Sequence, residues 1–381
     1  MRWSPPIVER ELTPLAAFAH ELSALESAGL RRRRRVLQTP QRARVTVDGR
    51  DYVAFCSNDY LGLAAHPELV AAACEGARLY GLGAGASHLI LGHTEPHHAL
   101  EAALARFVKL PAALFFSTGY MANLGLISSL AGRGDAIFAD KLNHASLNDA
   151  ALLARAELKR YPHLDLARLE RALQASTAKT KLIVSDAVFS MDGDVTPVRE
   201  LAQLAERYDA WLVLDEFGVR SPRIAYMATL GKAAGVYGAF VAGEPELIDI
   251  LVQRARTYIY TTATPPLIAH ALLKSLELIE RDDARRAHLF DLIGRVRHGL
   301  ARSRWPLLPS ATAIQPLVIG DSGDALALSE KLAERGLLVP AIRPPTVPRG
   351  TARLRISLSA DHRVDDVERL IDALHAVEAD A

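Results

Sequence analysis

A lysine, Lys232, sits in the small-residue turn Thr229-Leu-Gly-Lys-Ala-Ala-Gly235, directly after the apolar run 224–227. Upstream, Asp215 ends another apolar run, 211–214. A lysine flanked by glycines and alanines beside a buried strand is expected to be desolvated, and burial moves an amine toward its neutral, nucleophilic form. A carboxylate at the carboxyl end of a neighbouring strand can hold a heterocyclic cation. The pair suggests an aldehyde cofactor, pyridoxal phosphate (PLP), bound as a Schiff base to Lys232 with its ring nitrogen opposite Asp215.

Other polar residues also follow apolar runs. Ser117-Thr-Gly-Tyr-Met-Ala-Asn123 reads as a strand end opening a helix, where backbone N–H groups can cradle a phosphate and Gly119 permits close approach. His144 could lie flat on an aromatic ring, or be structural. Ser190 could bond a phenolic oxygen, although turn chemistry alone explains the following Asp192-Gly193. The hydroxyls of residues 260–262 could bind phosphate or cap the next helix. Arg343 and Arg355 lie in segments that read as buried, and a buried arginine calls for an anion: a substrate carboxylate or a structural ion pair. Asn58 could add a donor, or form an Asx turn. Residues 81–87 are glycine-rich without dinucleotide or P-loop spacing and read as a flexible loop near the cofactor. No Cys/His cluster has metal-ligand spacing, so no metal is expected.

Six apolar runs (113–116, 136–139, 182–184, 211–214, 224–227 and 238–241) alternate with helical or polar stretches, the signature of an α/β domain with a mostly parallel sheet. Ligands in such sheets collect at the strands' carboxyl ends. The expected organisation is an N-terminal helix and hairpin arm (1–50), a large PLP-binding domain (51–264) and a C-terminal small α+β domain (265–381). The helix is expected from about Val8 to Leu30, the hairpin around Asp48-Gly49, and a last helix with Val364, Val367, Leu370, Ile371, Leu374 and Val377 on one face. The 381 residues carry 45 Lys+Arg against 44 Asp+Glu, so no general drive toward nucleic acid or an anionic membrane follows. Two cysteines, no signal-peptide core and no apolar stretch long enough to span a bilayer point to a cytoplasmic, reducing setting. The run Arg31–Arg35 reads mostly as a solvated helix end.

Taken jointly, the stretches 57–63, 118–123, 143–147, 188–194, 229–232, 341–348 and 351–355 resemble the α-oxoamine synthases, a family of fold-type I PLP-dependent transferases, over nearly the whole chain. The resemblance implies a large domain with a mostly parallel seven-stranded sheet, and a homodimer with shared active sites. It implies that Lys232 carries PLP and moves the substrate α-proton, that Asp215 binds the pyridine nitrogen and that His144 stacks on the ring. Ser190 then contacts the phenolic oxygen, and Gly119, Tyr120 and Thr229 hold the cofactor. Thr262 reaches the neighbouring subunit's phosphate. Asn58 and Arg355 bind the amino-acid carboxylate, with Arg343 nearby and Arg31 near the acyl donor. The run 341–348 favours the branch that condenses L-alanine with a pimeloyl thioester, carried by coenzyme A or a carrier protein. Glycine or serine as amino acid, another acyl chain, or a catalytically silent subunit stay open.

The chain departs from the family after Asp215. The family histidine three residues on is absent, its place taken by Gly218, and only residues 216–223 separate the two strands. A parallel crossover needs roughly a dozen residues. The expectation is therefore that a longer loop belongs at this junction. The remaining reading is a true deletion that strains the sheet beside Lys232.

Overall fold

The computed structural model describes residues 14–28, 30–214 and 221–379. Its strands are β1 (Arg44–Val47), β2 (Arg50–Ala54), β3 (Ala112–Phe116), β4 (Ala136–Asp140), β5 (Glu157–Tyr161), β6 (Lys181–Val184), β7 (Ala210–Leu214), β8 (Ile224–Thr229), β9 (Ala239–Gly243), β10 (Ile314–Gly320), β11 (Leu337–Leu338), β12 (Ala341–Ile342) and β13 (Ala352–Ser357). The expected seven-stranded sheet is present, in the order β3-β9-β8-β7-β6-β4-β5. All neighbours pair in parallel except β9, which is antiparallel to β3 and β8.

Both sheet faces are covered, which is why its strands read as continuous apolar runs. Leu182 and Val184 pack on one side with the helices Gly119–Leu130 and Ala145–Ala154. Ile183, between them, packs on the other with Leu166–Gln174 and Val198–Arg207. Each such fully buried aliphatic side chain contributes roughly 1.5–3 kcal/mol. The strand the sequence did not reveal is β5, Glu-Leu-Lys-Arg-Tyr. It sits at the sheet edge, where polar side chains are tolerated and guard the open ladder.

The second lobe packs the antiparallel sheet β10-β13-β12 against the helices Asp283–Gly299, Ser322–Glu334 and Val364–Ala379. Val53, Phe55, Leu61 and Leu63, from near the start of the chain, complete that core. The hairpin turn has positive φ at both central residues, Asp48 and Gly49, as an Asp-Gly turn requires. Beyond the hairpin, β11 adds in parallel to β2. The first described helix, Pro14–Ser27, buries no residue, and Leu15 and Phe18 are 79% and 60% exposed. The expected earlier turns of this helix fall on residues outside the description. No described helix is long and apolar enough to cross a membrane.

The expectation that a longer loop belongs after β7 falls at residues 215–220, which lie outside the described residues. Residues 215–223 alone join β7 to β8, and the two strands pair in parallel across that short link. Their overlap is confined to Leu212↔Ile224, Val213↔Ala225 and Leu214↔Tyr226. The Leu212 N–H donates to the Arg223 carbonyl at 2.9 Å, seating β8 directly against β7.

Candidate active site

At the carboxyl ends of the parallel strands, between the two lobes, lies a cavity of about 1000 Å³. Six of the expected site residues line it: Asn58, His144, Ser190, Thr229, Lys232 and Arg355. Lys232 is half-buried in the cavity wall, which corrects the expectation of a desolvated ammonium. The reason is local: the turn between β8 and β9 is closed by Leu230 N–H to the Gly238 carbonyl (2.8 Å) and Gly235 N–H to the Lys232 carbonyl (2.8 Å), so its flank borders the open cleft. Gly235, at positive φ, lies against the backbone of Leu63 and Ala64, where a Cβ would come within 2.7 Å. The lysine turn is thereby wedged onto the second lobe.

Thr118 caps the helix Gly119–Leu130, its Oγ1 accepting the Met121 N–H at 3.1 Å. Gly119 stands against Thr229, and a Cβ there would meet Thr229 Cγ2 at 2.7 Å. We expect Gly119→Ala to lower PLP affinity about tenfold, since overpacking costs roughly 1–3 kcal/mol. Equilibrium titration of the cofactor against the variant reads this directly. Tyr120 is exposed and donates to the Asp149 carboxylate, which raises the phenol's pKa. It does not line the cavity.

His144 caps the helix Ala145–Ala154. Its Nδ1 accepts the Ser146 N–H at 3.2 Å, and its backbone N–H donates to Asp186 Oδ2 at 2.5 Å. Asn143 ties the same corner down, its amide reaching the Val184 carbonyl and its Oδ1 the Asp186 N–H. Asp186 was not expected. Burial raises its carboxyl pKa, while the His144 N–H, and the charges of His144 and Lys232, oppose that. The strand-end rule that singled out Ser117 and Asn143 applies equally to this residue after β6.

Two arginines on one face of β13 divide the two readings of a buried arginine. Arg353, 4% exposed, makes the structural pair, with Asp192 at 2.5 Å. Arg355, 7% exposed, has no carboxylate partner among the described residues. It donates to the Ser190 carbonyl (2.5 Å), to Ser357 Oγ (2.7 Å), and at 3.3–3.4 Å to Asn58 Oδ1 and the Tyr60 hydroxyl. A desolvated guanidinium bonded only to neutral acceptors is a carboxylate receptor.

Among the described residues, Gly119, Tyr120, Arg343, Thr262 and Arg31 do not line the cavity within one protomer. Arg343 is half-buried beside it, and its near neighbour Thr346 is on the wall. Thr262 is exposed and bridges to Ser87 at the end of the glycine-rich loop. Arg31 is paired with Glu26 at 3.0 Å. Asp215 lies outside the described residues. No group of side chains suited to a metal ion occurs among the described residues.

The aminotransferase class I and II family model matches residues 50–374. The 8-amino-7-oxononanoate synthase of Nitrosospira multiformis is 60% identical over 368 positions, covering 92% of this chain and 93% of its own. The chain belongs to the class I and II aminotransferases, among the 8-amino-7-oxononanoate synthases. Within the family, an 8-amino-7-oxononanoate synthase structure from Francisella tularensis superimposes with a TM-score of 0.73 at 31% identity, over 86% of this chain and 98% of the other. A serine palmitoyltransferase solved with PLP superimposes with a TM-score of 0.89 at 27% identity, over 96% and 97%. The fold is that of the fold-type I PLP transferases, as the sequence led one to expect. The cavity suits that cofactor. It presents an amine and Asn148 Oδ1, buried without a partner among the described residues, and the capped start of the helix Gly119–Leu130 stands against its wall residue Thr229.

Proposed function

We propose that this chain condenses L-alanine with a pimeloyl thioester, releasing CO2 and free thiol and giving 8-amino-7-oxononanoate for biotin biosynthesis, with PLP as cofactor. The observation that carries the reading is Arg355, a buried guanidinium without a carboxylate partner among the described residues, facing the same cavity as Lys232. PLP, when bound, supplies an electron sink for a carbanion at the alanine Cα. Lys232 would hold the cofactor, with Gly119, Tyr120, Thr229 and Ser190 around it and Asp215 at the ring nitrogen.

The chain's own groups do the rest. Arg355 and Asn58 anchor the alanine carboxylate, with Arg343 at the rim. Lys232 Nζ takes the proton from Cα and later returns one. His144 covers the reacting face and excludes water from it. A carbon–carbon bond forms between Cα and the thioester carbonyl carbon as the thiolate leaves and is protonated. The bond from Cα to the anchored carboxylate then breaks, releasing CO2, and a proton takes its place.

A homodimer with shared active sites fits the exposed apolar surface. Ile90 and Leu91 are 78% and 81% exposed, on a segment joined to Thr262 through Ser87. In a dimer Thr262 would serve the partner's phosphate, and Arg31 the acyl donor. Introducing Ile90→Asp with Leu91→Asp is expected to convert dimer to monomer in sedimentation. A dimer that survives both charges would place the interface elsewhere. A cytoplasmic location, with neither nucleic acid nor membrane as partner, completes the proposal.

A catalytically silent subunit is the second reading, favoured by the short β7–β8 junction. Thiol release from pimeloyl-CoA by the PLP-loaded protein, with L-alanine against glycine and serine, decides between them. Alanine-dependent release supports the synthase. Bound PLP without release from either pimeloyl-CoA or pimeloyl-carrier protein supports the silent subunit.

A further inference from the structure

His163 lies outside the cavity, two residues after the end of β5, with both ring nitrogens engaged. Nδ1 meets Asp140 Oδ1 at 3.1 Å and Oδ2 at 3.2 Å, and Nε2 meets Asp194 Oδ2 at 2.6 Å. Phe189 packs edge-on against the ring, centroids 4.4 Å apart. Carboxylates only accept, so an imidazole between two of them can donate to both only as the imidazolium. Asp140 is fully buried and fixed to the scaffold, Oδ1 accepting the Leu142 N–H and Oδ2 the Leu164 N–H. Asp194 closes the turn that begins at Phe189, whose N–H donates to the Asp194 carbonyl, while Gly193 N–H donates to the Phe189 carbonyl.

That turn carries the carboxylate receptor. Its Ser190 carbonyl accepts from Arg355 Nε, and its Asp192 holds Arg353. The chain of contacts runs from β4 through His163 and the turn to Arg355. We propose that protonated His163 is a positioning residue that fixes the 189–194 turn, and with it the substrate-carboxylate site at Arg355. The proposal rests on the synthase reading for its substrate, but its structural half does not.

The groups facing the ring are Asp140 from β4 and Asp194 from the turn, with Tyr161 at the end of β5 and Asp186 after β6 near Asp140. Partial burial opposes the charge on the ring, but the two carboxylates outweigh it and raise the His163 pKa to about 9. The sign follows from linkage. A histidine raised in the folded state contributes stability fully below its ordinary value near 6.5, and loses that contribution as pH climbs through about 9. The strut therefore holds at neutral pH and loosens in mild alkali.

Three measurements on the full chain test this. Imidazole titration by NMR of the cofactor-free protein, assigned with His163→Gln, should give a midpoint well above the ordinary histidine value. In hydrogen exchange, His163→Gln should speed the Phe189 and Gly193 amides about tenfold, the loss of a charge-assisted bond. In the PLP-loaded enzyme the same variant should raise KM for L-alanine about tenfold with kcat within about twofold, and should abolish the wild-type rise of KM between pH 8 and 10. Asp194→Asn, which keeps a bond but removes the charge, should lower the His163 midpoint and serves if the glutamine variant does not fold. A ring that titrates near 6.5, or turn amides unmoved by the variants, overturns the strut. Moved amides with unchanged KM overturn the positioning role. Absence of turnover in the wild type would fail the synthase reading while titration and exchange still decide the strut.

Discussion

Replacing Lys232 with alanine is expected to lower turnover on the order of 10⁴-fold, the upper range for a positioned proton-transfer group. It should also leave PLP without a covalent attachment. Borohydride treatment of the loaded wild type should add a stable mass to the peptide containing Lys232, and the alanine variant should gain none. The expectation follows from the cavity. Lys232 is the lysine on its wall, on a turn anchored to both lobes, and the other titratable residues there are His144, Tyr60 and two arginines. Persistent covalent attachment in the variant would move the carrier to another lysine and undo the site as drawn.

The second large effect is at Arg355. Arg355→Ala should raise KM for L-alanine roughly 10–100-fold, since a charge-assisted pair is worth about 1.5–3 kcal/mol. Arg355→Lys should restore little, because one ammonium cannot reproduce a fork that contacts Asn58, Ser190 and Ser357 together. A lysine variant with wild-type KM would show that only charge is required there.

Much of this arrangement could be read from residue order. Buried parallel strands announce themselves as apolar runs, and polar residues after those runs led to Asn58, His144, Ser190 and Lys232. What stayed hidden has physical reasons. The polar strand β5 sits at an edge, and because it went unseen, so did His163, which follows it. Asp186 obeyed the same strand-end rule but was passed over beside Ser190. The difference between Arg353 and Arg355 depends on which carboxylate lies within reach, which spacing along a strand does not tell. Thr262 and Arg31, inferred from family resemblance, are not at the cavity of a single protomer. If they act, the other half of their site belongs to a second copy. Asp215 and the residues following it lie outside the description, so the ring-nitrogen partner rests on sequence alone.

The grip on the 190–193 turn bears on how this architecture can vary. Four successive residues rooted in the sheet lobe are held by the other lobe: Ser190 by Arg355, Met191 and Asp192 by Arg353, and Gly193 by Ser310. Gly193 itself, at positive φ, has no room for a side chain, since a Cβ would lie 2.6 Å from the Ile314 carbonyl. The residues around Phe55 and Leu63 are likewise built into the far lobe's core. The lobes are therefore not exchangeable modules. A recombination event that replaced everything after the sheet would have to bring matching versions of two distant stretches with it. Drift in the C-terminal half is tied, residue by residue, to a turn and a hairpin flank encoded far upstream.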